Sequence, residues 1–341
     1  MRVLLTGNQG YLGTVMSGAL QAAGHEVTGL DSGLFAEQVL GPAPADPPTR
    51  RRDVRDVQEA DLDGFEAAIH LAALSNDPLG SLEPERTYAI NRDASTRLAR
   101  LAKQAGVRRF LYASTCSVYG AADTTVPVTE DAPLAPLTPY AISKVSVEAE
   151  LARLADADFV PTSLRNATAF GFSPRLRADI VLNNLVGHAV LTSRVRVLSD
   201  GTPWRPLVHA ADVAEAFTRM LDADPAVVGA RAFNVGDETN NLTVAQIAEI
   251  VVDAVPGATL EITGEAGPDP RSYRVDFSAL RAALPGFRCR WSAADGAREL
   301  VDAYTRHGLT TEGFDHDFVR LAVLQRQRGA GRLDDAFRPA A

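Results

Sequence analysis

The sequence predicts an α/β fold, a doubly wound parallel sheet with a smaller, mixed C-terminal lobe. Three observations predict it. Short apolar runs alternate with helical patterns through the first half, as repeated βαβ units do. A glycine triplet, Gly7, Gly10 and Gly13, directly follows the first apolar run. Beyond Gly171 the rhythm loosens, and prolines at 203, 206, 256, 268, 270 and 285 divide the later chain into small pieces.

In chain order, Val3 to Thr6 reads as a buried strand, Leu12 to Ala23 as a helix and Glu26 to Leu30 as a second strand. The stretch from Gly41 to Thr49, GPAPADPPT, is too rich in Pro for helix or sheet and reads as an exposed loop with no further role. Ala67 to Ala72 and Phe110 to Ser114 repeat the strand pattern. Ile142, Val145, Ala149 and Leu151 recur near helical spacing and place a helix over Ala141 to Leu154, followed by a strand at Thr162 to Arg165. Asp179 to Leu191 and Thr243 to Val255 read as helices, the second opened by a Thr cap, and Arg196 to Leu198 as a short strand. Phe318, Leu321 and Leu324 share one helical face within Phe314 to Phe337, which predicts a docked surface helix with arginines on its other faces. The expected division is a dinucleotide lobe over 1–165, rejoined by 205–240, and a mainly substrate-binding lobe with the C-terminal helix over 166–341.

Composition excludes several classes of function. With 46% apolar and 23% charged residues the chain is neither disordered nor fibrous in type, and no apolar run reaches the roughly 18 residues of a membrane span. A net charge of −9 argues against bulk affinity for nucleic acid or anionic membranes, although a local basic pocket can still hold a polyanion. Cys116 and Cys289 form no metal-ligand spacing and no disulfide framework, and the chain starts without a leader pattern, so a cytoplasmic location is expected. Of the 34 basic residues only Lys103 and Lys144 are Lys, so each becomes a candidate for a role that Arg cannot fill.

Thr6-Gly7-Asn8-Gln9-Gly10-Tyr11-Leu12-Gly13 ends a strand and opens a helix, the context of a Rossmann-type nucleotide fingerprint. Gly7 allows the tight turn, Gly10 lets backbone N–H groups approach a pyrophosphate, and Gly13 lets helix and sheet pack closely. A plain structural turn is the other reading. Asp31 stands 18 residues after Gly13 at the end of the second strand, where a carboxylate accepts from the adenosine ribose hydroxyls and repels a 2′-phosphate. NAD is therefore expected over NADP, with a simple Asp-capped turn through Ser32-Gly33 as the alternative.

Tyr140 and Lys144 are four apart and so lie one above the other on a helix. A phenol near pKa 10 is a poor base at neutral pH, but an ammonium and a cationic nicotinamide beside it stabilise the phenolate. The compact ammonium also suits the nicotinamide ribose hydroxyls better than a guanidinium does. Lys103, in an Arg/Ala-rich helical segment, reads as a surface charge. Upstream, Ser114-Thr115-Cys116-Ser117 ends an apolar strand, where ligands of open α/β sheets bind, and Thr115 or Ser117 offers a hydroxyl to a substrate oxygen; local turn formation is the other reading.

TGNQGYLG (6–13), Asp31, Asp53-Val54, HLAAL (70–74), Asn91, STCSVYG (114–120), YAISK (140–144), LRNATAFG (164–171), NNL (183–185), WRPLVHAADVAEAF (204–217), FNVG (233–236) and DPRSYRVD (269–276) together resemble the extended short-chain dehydrogenase/reductase family, in particular its nucleotide-sugar epimerase/dehydratase group. The resemblance covers roughly residues 1 to 300. It implies catalysis by Thr115, Tyr140 and Lys144. It implies NAD contacts from Gly7, Gly10, Tyr11, Leu12, Gly13, Asp31, Asp53, Val54, Leu71, Ala72, Ala73, Asn91, Ser114, Tyr140 and Lys144. Ser117, Thr168, Asn184, Arg205 and Arg271 are implied to meet the substrate, a nucleoside diphosphate sugar, with the arginines on its phosphates.

The residues after Thr115 narrow the chemistry. Relatives that dehydrate the sugar carry Asp-Glu at these two positions, decarboxylating ones place Glu where Ser117 stands, and 3,5-epimerising ones place Cys there. Cys116 is one place off and reads as a small buried residue. Oxidation and reduction at a carbinol remain, so the resemblance implies an NAD-dependent sugar-nucleotide 4-epimerase; a 4-ketoreductase of a deoxysugar and a non-catalytic NAD-binding module are the alternatives. Three departures lie on the substrate side: Thr168 replaces the family's Asn, Ala266 replaces an Arg found three residues before the position of Asp269, and Arg175 and Arg177 are additions that either bind substrate or face solvent. The helices near Pro84 to Ala105 and Pro139 to Leu154 resemble the family's dimer helices and imply a homodimer.

Overall fold

The computed structural model describes residues 1–75, 83–265 and 271–339; Ala266 and Asp269 lie outside them. Strand β1 (Arg2–Thr6) leads through the glycine turn into helix α1 (Tyr11–Ala22) and returns as β2 (Glu26–Asp31). Then follow β3 (Thr49–Arg51), β4 (Ala67–His70), a helical stretch ending in α2 (Ser95–Gln104), β5 (Arg109–Thr115), α3 (Pro139–Leu154) and β6 (Val160–Asn166). The chain continues with β7 (Thr168–Phe170), α4 (Val181–Thr192), β8 (Arg194–Val197), β9 (Trp204–His209), α5 (Ala210–Asp222) and β10 (Arg231–Val235). It ends with β11 (Asn241–Thr243), α6 (Val244–Ala254), β12 (Thr259–Ile262), α7 (Ala293–Arg306) and α8 (Arg320–Gly329).

Seven parallel strands form the main sheet in the order β10-β6-β5-β4-β1-β2-β3. The order reverses direction at β1, so the loops after β1 and β4 part there and leave a crevice at the carboxyl ends of the strands. Both faces of the sheet are covered, and alternation along each strand divides the core. Val3, Leu5, Leu111 and Ala113 pack with Met16 and Leu20 of α1 and Phe217 of α5. Leu4, Phe110 and Tyr112 pack with Leu98 of α2 and Val147 and Leu151 of α3 on the other face. A mixed three-stranded sheet, β11-β9-β7, and a parallel pair, β12-β8, accompany a third core built on Leu182, Val186, Ile247, Val251, Leu300 and Tyr304.

Local chemistry explains the boundaries. Thr138 caps α3 by accepting from the Ala141 N–H, with Pro139 in the first turn, so the helix starts two residues earlier than periodicity alone places it. Thr243 and Gln246 form a reciprocal capping box at the start of α6. The C-terminal helix is shorter than expected: α8 covers Arg320–Gly329, preceded by a wide turn at Gly313–Asp317. The Pro-rich loop is not mere filler, because Asp46 takes two bonds from the buried Arg175 at 2.7 Å and one from Gln9 at 3.0 Å, which ties the loop to the glycine turn. No helix among the described residues is long and apolar enough to cross a membrane.

Candidate active site

A crevice of about 680 Å³ runs along the carboxyl ends of the central strands, between the main sheet and the later part of the chain. Its floor is the glycine turn. Gly7 sits at φ +76°, and a Cβ there would stand 2.7 Å from the Ala72 nitrogen; a Cβ on Gly13 would stand 2.0 Å from the Gly7 carbonyl oxygen. Both positions therefore need glycine, and the space they preserve lets backbone come close to a ligand. Helix α1 follows Gly10 at its N-cap, with no side-chain cap and no acid in its first turn, so its N–H groups and dipole face the crevice uncompensated, as a dinucleotide pyrophosphate requires.

Asp31 lines the crevice at the end of β2, accepting from the Gly33 N–H at 2.8 Å and the Gln9 N–H at 3.0 Å. It both caps its own turn and anchors the glycine loop. Burial pushes its carboxyl up, while those backbone N–H groups pull the other way. Asp53 and Val54 line the same end, with Asp53 held by Arg55 at 2.6 Å. Leu71, Ala72 and Ala73 form the wall after β4. Asn91 is buried behind this wall, and its amide bonds both the N–H and the carbonyl of Leu74, at 2.8 and 2.9 Å. Its place one layer behind the wall makes it a positioning residue for that loop.

Thr115, Tyr140 and Lys144 converge on the crevice from the end of β5 and the first turns of α3. Lys144 is 2% exposed and donates to the Ala113 carbonyl at 2.6 Å, with its ammonium 5.5 Å from the centre of the Tyr140 ring and 4.6 Å from that of Tyr112. Burial pushes its pKa down to about 7, opposed by the charge of Glu148 one turn along α3. The Thr115 hydroxyl accepts from the Ser117 N–H at 3.1 Å and keeps its own proton to donate. The Ser114 hydroxyl is committed to Glu148, whose carboxylate also binds the Arg165 guanidinium at 2.7 Å in a buried pair. This Glu148–Arg165 brace escaped sequence reasoning, though the i, i+4 spacing from Lys144 to Glu148 was available to signal it.

Ser117, Thr168, Asn184, Arg205 and Arg271 also line the crevice. Arg205 donates to the Trp204 carbonyl at 2.8 Å and to that of Arg271 at 2.5 Å, which draws the two arginines together. Asn184 donates to Ala178 at 2.9 Å. Tyr273, within the DPRSYRVD stretch, was not singled out from sequence, yet its hydroxyl lies 3.5 Å from that of Ser117, and burial pushes it up to about 12. Asn166, paired across the strands with Thr115, also lines the crevice and holds the Ser114 carbonyl at 3.3 Å. Of the two added arginines, Arg175 is buried on Asp46 and belongs to the scaffold, whereas Arg177 lines the crevice, bonded to Asp179 at 2.9 Å and Ser75 at 2.9 Å. Cys116 turns away from the crevice, its thiol 3.1 Å from the Arg165 carbonyl and its pKa raised by burial.

The glycine cradle, the open helix start and Asp31 fit NAD. Residues 3–236 match the profile of the NAD dependent epimerase/dehydratase family. A UDP-glucose 4-epimerase of Mycolicibacterium smegmatis is 31% identical over 320 residues, which cover 89% of this chain and 98% of that one. Among solved structures, an NAD-dependent NDP-hexosamine 5,6-dehydratase, TunA, involved in tunicamycin biosynthesis, superposes with a TM-score of 0.80 at 25% identity over 89% of this chain and 98% of that one. MoeE5, in complex with UDP-glucuronic acid and NAD, has a TM-score of 0.77 at 28% identity, over 91% of this chain and all of that one. With its motifs in the family's order and its crevice built from them, the chain belongs to the NAD-dependent epimerase/dehydratase family of extended short-chain dehydrogenases/reductases, as an enzyme that uses NAD.

Proposed function

We propose that the protein is a nucleotide-sugar 4-epimerase, with Tyr140 as the base and acid at the C4 hydroxyl. One observation carries this choice of reaction: the crevice gathers Thr115, Tyr140 and Lys144 without a further acid–base pair at positions 116 and 117. Among the described residues, the carboxylates on its wall are Asp31 and Asp53, at the β2–β3 end away from Tyr140, and Asp179, which takes two bonds from Arg177.

NAD, when bound, supplies the acceptor and donor of a hydride. In the first half-reaction Tyr140 takes the proton of the C4 hydroxyl while Thr115 donates a hydrogen bond to the same oxygen. Lys144 holds positive charge beside the Tyr140 ring and so favours the phenolate. The resulting 4-keto sugar turns about its link to the nucleotide, Tyr140 returns the proton, and hydrogen arrives at the other face of C4. Arg205 and Arg271 anchor the diphosphate throughout, so the sugar moves while the nucleotide stays. In the division of labour proposed with this, residues 1–165 with 205–240 hold the dinucleotide and most of 166–341 holds the sugar nucleotide.

Likeness to a 5,6-dehydratase makes elimination of water the second reading. Incubation with UDP-glucose, UDP-N-acetylglucosamine, dTDP-glucose and GDP-mannose, followed by NMR, tests both. The proposal expects a C4 epimer of one of them without net NAD reduction. A product lighter by one water supports elimination, and stoichiometric NADH consumption with a 4-keto sugar nucleotide shows a ketoreductase.

A further inference from the structure

The family profile ends at residue 236, but the chain runs on to a C-terminal segment that lies against the adenosine end of the crevice. Gln327 donates to the Leu34 carbonyl at 3.0 Å, Arg55 donates to that of Ala336 at 2.8 Å, and Phe337 is buried in the same core as Val54 and Leu324. Arg320 and Leu324, on α8, form part of the crevice wall together with Leu34 and Phe35.

Arg320 is only 5% exposed. Its guanidinium lies 4.3 Å over the Phe35 ring, and Nη2 donates to the Arg175 carbonyl at 3.2 Å, but Nη1 has no hydrogen-bond partner. The neighbouring arginines differ: Arg175 has Asp46 at 2.7 Å and Arg177 has Asp179 at 2.9 Å, whereas no carboxylate among the described residues comes within ion-pair distance of Arg320. Burial and the charge of Arg177 push its pKa down to about 9, against the weaker pull of the Asp179 and Asp31 carboxylates beyond contact distance. A buried guanidinium without a directly paired carboxylate is costly, and a chain that retains one on a crevice wall gains from an anion delivered there by a ligand.

The uncapped start of α1 faces the same crevice, and Asp31 occupies its ribose end. We propose that Arg320 is a ligand of the dinucleotide pyrophosphate, opposite the N–H groups of α1, so that the C-terminal helix closes over NAD and holds it. The assignment rests on NAD as the cofactor and is independent of which sugar reaction follows.

Titration calorimetry of the nucleotide-free chain with NAD, ADP-ribose, NADP and adenosine tests it, using Arg320→Gln and Arg320→Lys. Arg320→Gln is expected to weaken NAD and ADP-ribose by about 10- to 100-fold, the range of a charge-assisted hydrogen bond, and to leave adenosine unchanged. Arg320→Lys restores part of the loss. Without nucleotide, Arg320→Gln melts no lower than the parent, while the rise in Tm caused by NAD shrinks. Equal weakening of adenosine and ADP-ribose, or a lower Tm with unchanged affinities, overturns the assignment in favour of a purely structural stack on Phe35. Tighter binding of NADP than of NAD, lost in Arg320→Gln, overturns it in favour of a 2′-phosphate contact. Failure of the parent chain to bind ADP-ribose or NAD overturns the cofactor reading along with it.

Discussion

Lys144 and Lys103 stand 41 positions apart and meet opposite requirements. Lys144 is buried against the Ala113 carbonyl and two aromatic rings, contacts made by a compact ammonium that a planar guanidinium does not reproduce, so Lys144→Arg is expected to lower kcat by about 100-fold or more. Lys103 reaches the Leu154 carbonyl at 2.7 Å and Asp156 at 2.6 Å from a partly exposed position that Arg also spans, so Lys103→Arg is expected to keep kcat within about twofold and stability within about 0.5 kcal/mol. Steady-state kinetics and denaturant melts of the two variants check this; two silent substitutions reduce the Lys144 assignment to composition bias. Tyr140→Phe is expected to lower turnover by about 100- to 10,000-fold while leaving NAD affinity nearly intact, because it removes the proton carrier and little else. His70 provides a pH-dependent prediction. Its buried ring bridges Thr6 at 2.6 Å and Ser95 at 2.8 Å, and burial pushes its pKa from 6.5 down to about 3, with Lys144 adding to the shift. Between those pH values the unfolded chain carries a proton that the folded ring refuses, so stability falls as pH drops below 6.5, by about 2 kcal/mol at pH 5. Urea melts of His70→Asn should lose this slope. At this scale much of the site was legible: Tyr140, Lys144, the glycines and Asp31 announce themselves by spacing and by position at strand ends. The hold of Asn91 on Leu74 was not legible, because a buried amide that holds a loop and one that holds a ligand look the same in sequence. Arg320 and Glu148 were hidden because their roles depend on tertiary neighbours, not on local pattern.

At the scale of elements, α1 carries two glycines with opposite demands. Gly13 packs on the glycine turn, where a Cβ would stand 2.0 Å from the Gly7 oxygen, whereas Gly18 is exposed with nothing within 4 Å of a Cβ. Gly13→Ala is therefore expected to destabilise by about 1–3 kcal/mol and to abolish NAD binding, and Gly18→Ala to stabilise by about 0.5–1 kcal/mol through its helix propensity. Thermal melts with and without NAD distinguish the two. The central strands were legible because apolar runs of four to seven residues buried on both faces leave few alternatives. In the later chain, β7, β9 and β11 are three to six residues long, and β8 finds its partner β12 some 60 residues on, so no local period marks their pairing. The short α8 shows the same limit: its apolar positions predicted a helix, but its contact with the crevice depends on Leu34 and Phe35, nearly 300 residues earlier in the chain.

For the whole molecule, the family likeness of α2 and α3 predicts a homodimer, and light scattering at micromolar concentration should return twice the chain mass. A monomer would remove that assignment without touching the chemistry. The account as a whole turns on hydrogen that leaves C4 and returns to the same carbon. The direct measurement is turnover of a sugar nucleotide carrying deuterium at C4 in ordinary water, and of the unlabelled compound in D₂O, each followed by NMR and mass spectrometry. The account predicts a C4 epimer that retains the label from C4 and takes up none from solvent at C3, C4 or C5. Loss of the C4 label, solvent deuterium at C5 or a product lighter by one water would contradict it.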